Sequence, residues 1–141
     1  MKILVINGPN LNLLSRRDKN LYSTLSSNQI IKLLKSEFKE FTFSLFQSNI
    51  EGEIVSKIQT ADKNFDGLII NPGAYAHTSI AIMDALEICK IPKIEVHLSH
   101  LANREDYRQT LLTAKNTNGY ISGFKENSYL AAAYLLKKML S

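Results

Sequence analysis

A single cysteine, three prolines, six glycines and no long apolar run mark this 141-residue sequence. With only Cys89 available, there is no disulfide framework and no cysteine metal cluster. Glycine and proline are too few for a collagen-like fibre. A hydrophobic share of 45% with 21% charged residues excludes a disordered tail or a repeat array. No stretch approaches the roughly 20 apolar residues that cross a bilayer, so a membrane is not an expected partner. The opening Met1-Lys2-Ile3-Leu4-Val5-Ile6 runs straight into Asn7-Gly8. It lacks the longer apolar core and small-residue cleavage site of a secretion signal, so the expected location is cytoplasmic. Seventeen Lys and Arg against 13 Asp and Glu leave a formal charge of +4. That surplus is spread out, with no run of five basic residues, no RNA-binding signature and no zinc-finger spacing, so nucleic acid is not expected either. A modestly basic enzyme for an anionic metabolite fits the charge equally well.

What is present is a regular alternation of short β-branched runs and longer stretches with helical spacing. Lys2 to Ile6 reads as a strand. Ser26 with Gln29 three positions on forms a capping-box pattern, and Ile30, Leu33, Leu34 and Phe38 then line one helix face. Phe41 to Phe46 reads as the second strand, and Ile50, Ile54, Ile58 and Ala61 as the next helical stripe. Gly67-Leu68-Ile69-Ile70 is too apolar for a half-exposed strand and suits one covered on both faces. Thr78 is the expected cap of a helix carrying Ile80, Met83, Ala85 and Leu86, with Cys89 buried near its end. Lys93 to Val96 follows as a strand, Glu105 to Ala114 as a helix, Tyr120 to Gly123 as a short strand and Leu130 to Leu140 as the last helix. The order βαβαβαβαβα without a linker predicts one α/β domain over 1–141, with a five-stranded parallel sheet and helices on both faces.

Ligands of such sheets sit beyond the carboxyl ends of the strands. The first strand leads into Asn7-Gly8-Pro9-Asn10-Leu11-Asn12, the third into Asn71-Pro72-Gly73-Ala74-Tyr75-Ala76-His77-Thr78-Ser79, and the fourth into His97-Leu98-Ser99-His100. Each piece has an ordinary reading. Gly8-Pro9-Asn10 and Asn71-Pro72-Gly73 are good turns. His97 suits a satisfied core histidine, and Glu95, on the same side of the strand, a structural partner for it. Arg17 and Tyr22 pass as loop residues, and Arg104 with Arg108, four apart, as a solvated pair on a helix. Their joint location on one rim points instead to proton and anion chemistry. No G-x-x-x-x-G-K-[ST], no G-x-G-x-x-G after the first strand and no G-x-S-x-G elbow compete for that rim. The three histidines lack metal-ligand spacing, so no metal is expected.

Along essentially its whole length the chain resembles the type II 3-dehydroquinate dehydratases. The resemblance rests on Gly8-Pro9-Asn10-Leu11-Asn12-Leu13-Leu14, Arg17 with Tyr22, Asn71 through Ser79, Ile94-Glu95-Val96-His97-Leu98-Ser99, and Arg104-Glu105 with Arg108. It implies a flavodoxin-like three-layer fold, no cofactor, and a homododecamer built as a tetramer of trimers. The implied reaction is trans-dehydration of 3-dehydroquinate to 3-dehydroshikimate, a step of the shikimate route towards chorismate and the aromatic amino acids. Tyr22 is then the general base, Arg17 its cationic neighbour, and Asn10 the holder of a water against the enolate. His97, paired with Glu95, is the general acid. Asn71, Ser99 and the backbone at Leu98 and Ser99 would take the substrate carboxylate, and Arg108 and His77 the ring hydroxyls. Asp84 would reach in from a neighbouring subunit, and Arg104 would shape the basic site. Residues Leu14 to Ser23 would form a lid. Ser15, Asp18-Lys19 and Ser23 depart from the family pattern within that lid, as do His100 and Lys125 outside it.

The magnitudes agree with these roles. A free phenol ionises near pH 10, so a phenolate base near neutrality needs help of about 4 kcal/mol. One unit charge at 4 Å supplies about 4 kcal/mol at an effective dielectric near 20. The competing reading is a non-catalytic flavodoxin-like module that holds an anionic ligand or a partner on the same rim. A phosphoacceptor receiver fits less well, since the first strand ends in Asn7-Gly8 and not an acidic pair.

Overall fold

Strand β3 (Gly67–Asn71) is buried along its entire length because helices cover both of its faces. The computed structural model describes residues 1–141 and places β3 at the centre of a five-stranded sheet. The other strands are β1 (Lys2–Asn7), β2 (Thr42–Gln47), β4 (Lys93–His97) and β5 (Gly119–Ser122). All neighbours are parallel, in the order β2-β1-β3-β4-β5. This is the flavodoxin-like order, whose chain reversal falls between β1 and β3. Register places Asn7 beside Asn71 at that point, and His97 beside Ser122 one strand further out.

The alternation of side chains along each strand divides the core into two layers. Ile3, Val5, Ile69, Ile94 and Val96 face helices α1 (Ser27–Glu37) and α4 (Asn127–Leu140). Leu4, Ile6, Leu68 and Ile70 face α2 (Glu51–Asn64) and α3 (Ile80–Ile88). Each fully buried Leu or Ile contributes about 1.5–3 kcal/mol over leaving it in water, so the rigid element here is the sheet. Helix α1 begins as its sequence dictates: Gln29 N donates to Ser26 Oγ at 3.2 Å, and Ser26 N to Gln29 Oε1 at 2.8 Å.

Three expectations need correction. Glu105 to Ala114 is not an α-helix; it forms two short 3-10 turns, Asp106–Arg108 and Thr113–Asn116. Tertiary hydrogen bonds claim that backbone, including Leu112 N to Ala76 O at 2.8 Å. Thr78 does not cap α3, because the 3-10 turn Gly73–His77 ends on it. Ser79 caps instead, its Oγ accepting from Ile82 N at 2.9 Å. Helix α4 starts at Asn127, ahead of Leu130, which brings Ser128 and Tyr129 onto its buried face.

The loops after β1 and β3 are pinched together. Gly8 N donates to Asn71 O at 2.8 Å, and a Cβ on Gly8 would lie only 2.4 Å from Pro72 O. Only glycine allows that approach. Gly73, at φ +61°, turns the second loop back towards Pro9.

Candidate active site

The floor is a buried polar chain beneath those pinched loops. Tyr129 Oη, on α4, donates to Asn7 Oδ1 at 2.7 Å and accepts from Asn71 Nδ2 at 3.1 Å. Asn71 Oδ1 accepts from Gly73 N at 3.1 Å. Asn7 Nδ2 donates to Ser27 Oγ at 3.2 Å, and Ser27 Oγ donates to Leu11 O at 2.8 Å. Burial pushes the Tyr129 hydroxyl far above its ordinary range, with the two amides pulling weakly the other way, so it stays a neutral donor. This chain fixes which way each carboxamide faces.

Above the floor, residues 11–26 fold over the strand ends. A 3-10 turn over Leu11–Arg16 buries Leu11 and Leu14, and the chain then doubles back so that Tyr22 is only 9% exposed. Arg17 Nη2 donates to Tyr22 Oη at 2.5 Å, and its Cζ lies 3.8 Å from the ring centroid. Arg104 Cζ stands 5.4 Å from the same ring. Burial draws the Arg17 guanidinium below its usual value, Tyr22 opposes this, and Arg108 and Arg104 add to it. A guanidinium nonetheless remains cationic at any working pH. Besides the Ser27 contact to Leu11, Ser23 Oγ donates to Glu126 Oε2 at 2.7 Å, just ahead of α4.

The far wall comes from β4 and the connection after it. Glu95 is completely buried, and its Oε2 lies 2.7 Å from His97 Nε2. A carboxylate only accepts, so Nε2 carries the proton and Nδ1 is the ring's other working atom. Nδ1 has no protein partner and is not sealed from solvent. Glu95 Oε1 accepts from Thr113 Oγ1, which is also fully buried. The His77 ring stacks on His97 with centroids 6.2 Å apart, and its Nδ1 meets Thr110 O at 2.8 Å. Burial, more than any neighbour, pulls His77 below the usual imidazole range, so the ring is neutral at pH 7. Arg104 Nη1 donates to Ser99 Oγ at 2.9 Å. Exposed Glu105 lies between Arg104 and Arg108, at 3.5 and 2.9 Å from their Nε atoms.

These groups enclose a cavity of about 30 Å³, lined by Arg17, Tyr22, Asn71, His77, His97, Leu98, Ser99, Arg104 and Arg108 among the candidates named from sequence. That is room for about one water, far below the roughly 300 Å³ at which ligand pockets begin. Glu95 stands behind His97. Two candidates lie elsewhere. Asn10, in the left-handed region at φ +69°, is exposed and does not line the cavity; its backbone N donates to Asn49 Oδ1 at 3.0 Å. Asp84 is exposed on α3, outside this chain's own cavity. Arg104 and Arg108 do not share a helix face, since Arg104 follows the 3-10 turn Leu101–Asn103 and Arg108 ends the next one, Asp106–Arg108. A larger hollow of about 650 Å³ beside β5 shares Leu101 and Arg108 and adds His100 and Tyr120, but no carboxylate lines it. Sequence reading missed Thr113, which looked like an ordinary member of a helical stretch, and Tyr129, which fell just ahead of the expected last helix. Only the folded backbone turns them towards Glu95 and Asn71.

The family described as dehydroquinase class II matches residues 1–137. A protein named 3-dehydroquinate dehydratase from Clostridium perfringens is 53% identical over 141 residues, covering 98% of this chain and 97% of that protein. The crystal structure of a type II dehydroquinase from Butyrivibrio crossotus superposes with a TM-score of 0.92 at 44% identity, over 97% of each chain. One from Propionibacterium acnes gives 0.89 at 34% identity, over 96% of each. Sequence, fold and relatives agree throughout: the chain belongs to the class II dehydroquinase family.

Proposed function

We propose that this chain dehydrates 3-dehydroquinate to 3-dehydroshikimate, its step in the shikimate route. The observation that carries the reading is the Arg17–Tyr22 pair set over the same cavity as the His97–Glu95 pair. The substrate is a cyclic β-hydroxy ketone with a carboxylate. Tyr22, as phenolate beside Arg17, takes the proton next to the ketone. The released electron pair moves onto the ketone oxygen as an enolate. A water held by Asn10, whose side chain has no protein hydrogen bond to break, stabilises that oxygen. The enolate then collapses and expels the β-hydroxyl, which leaves as water with a proton from His97 Nδ1. Glu95 balances the imidazolium before this transfer. Proton exchange with solvent resets both groups.

Asn71, Ser99 and the backbone at Leu98 and Ser99 hold the carboxylate. Asn71 contributes the Nδ2 hydrogen not engaged by Tyr129. His77 and Arg108 take the ring hydroxyls, Arg104 adds positive charge, and Asp84 completes a neighbouring subunit's site in a homododecamer of four trimers. Residues 1–141 act as one catalytic domain in the cytoplasm, needing no metal or cofactor. Purified protein mixed with 3-dehydroquinate in EDTA is expected to generate the ultraviolet absorbance of a conjugated enone. Folded protein that binds a substrate analogue but yields no enone would establish the non-catalytic reading instead. Elution near twelve chain masses on a sizing column is the matching expectation for assembly.

A further inference from the structure

We propose that Thr113 is a positioning residue for the general acid, acting through Glu95; the inference rests on the dehydratase reading above. Glu95 is fully buried, and its side chain has two partners only, one for each oxygen: His97 Nε2 at 2.7 Å on Oε2 and Thr113 Oγ1 on Oε1. Thr113 is itself wholly buried, and a hydroxyl facing a carboxylate can only donate to it. The pair of bonds fixes the rotation of the carboxylate about its last torsion, which is otherwise soft. A fixed carboxylate fixes the plane of the His97 ring through Nε2, and with it the aim of Nδ1. Without the hydroxyl, Oε1 has no donor and both oxygens compete for the single Nε2 proton. The imidazole then samples orientations that miss the departing hydroxyl. Supporting hydrogen bonds behind a reacting group act in this way.

Thr113 is well placed to hold its position. Leu112 N, its neighbour, donates to Ala76 O at 2.8 Å, and three residues earlier Thr110 O meets His77 Nδ1 at 2.8 Å. The stretch Thr110–Thr113 therefore presents a carbonyl to one cavity imidazole and a hydroxyl to the partner of the other. Both rings are oriented by one short segment.

The test compares Thr113→Val, which keeps the shape and removes the donor, with Thr113→Ser, which keeps the donor. Thr113→Val is expected to lower kcat roughly 10- to 100-fold with KM changed less than about threefold, and Thr113→Ser to recover most of kcat. In proton NMR the downfield Nε2–H signal of His97, assigned by its loss in His97→Ala, should shift in Thr113→Val and return in Thr113→Ser. Wild-type kcat in Thr113→Val overturns the proposal. So does an equal loss in both variants, because packing alone would then explain it. Should Thr113→Val not fold, Thr113→Ala against Thr113→Ser is read by the same criteria. A wild-type protein inactive on 3-dehydroquinate overturns the dehydratase reading instead, and the NMR comparison still reports on the Thr113 contact.

Discussion

Replacing Arg17 by alanine removes a cation whose Nη2 lies 2.5 Å from the Tyr22 hydroxyl oxygen and whose Cζ lies 3.8 Å from the ring centroid. With charge centres about 4 Å apart, a guanidinium favours a phenolate by about 4 kcal/mol at an effective dielectric of 20, against about 1 kcal/mol in bulk water. Tyr22 is buried and Arg17 half-buried, so the upper part of that range applies. Arg104, 5.4 Å from the same ring, makes good part of the loss. A net 2 to 4 kcal/mol remains, or roughly a 30- to 1,000-fold fall in kcat. The assay is the initial rate of enone formation at neutral pH and saturating substrate, with circular dichroism to show that the fold is unchanged. Arg17→Lys keeps the charge without the planar fork and should fall between alanine and wild type. If Arg17→Ala turns over within threefold of wild type, the phenolate does not depend on this cation. If only KM changes, Arg17 merely binds substrate. Either result refutes the reasoning.

Tyr22→Phe should lower kcat by about 100- to 10,000-fold while affinity for a substrate analogue holds, because only the oxygen that moves the proton is lost; retained turnover places the base elsewhere. Tyr129→Phe strips partners from Asn7 Oδ1 and Asn71 Nδ2 within the buried floor, so urea unfolding should show about 1–3 kcal/mol less stability, with a raised KM. An unchanged midpoint would mean those amides find other partners. His77 binds its proton less readily folded than unfolded, chiefly through burial. Below the unfolded value near 6.5 the unfolded chain therefore holds more protons, and stability falls as the pH is lowered through that region. His77→Asn should lose less stability than wild type between pH 7 and 5; identical slopes would show that His77 does not contribute.

Much of the architecture was legible because burial on both faces leaves a plain mark. Gly67-Leu68-Ile69-Ile70 has no polar residue to turn outwards, and β3 is the central strand. Ser26 and Gln29 announce α1 through local chemistry alone. The failures share one cause, tertiary contacts outweighing local preference. Glu105 to Ala114 is rich in residues that helices accept, but hydrogen bonds to Ala76, Leu101 and His77 draw the backbone and the Gln109 side chain into turns. Thr78 and Ser79 are adjacent hydroxyls of nearly equal capping ability, and only the preceding 3-10 turn decides between them. Within the site, Asn10, Asn71, His77, His97 and Ser99 stand in motifs at strand ends, whereas Arg17 and Tyr22 passed as loop residues until the resemblance gave them roles. Thr113 and Tyr129 could not be named, because what they touch lies 18 and 58 residues away in the chain. Asp84 was named by resemblance alone, and neither it nor Asn10 lines this chain's own cavity.

Glu95 and His97 belong to a strand paired on both sides, whereas Arg17 and Tyr22 ride on a loop segment that Ser23 fastens to Glu126, just ahead of α4. The two halves of the chemistry are thus mounted with unequal stiffness. Substitutions among residues 15–23 change how the Arg17–Tyr22 pair is held without disturbing the imidazole's seat. A change at β4 enjoys no such freedom, because it strains the sheet itself. Variation in pace among enzymes built this way should therefore gather in the loosely tied half, leaving the anchored half nearly fixed.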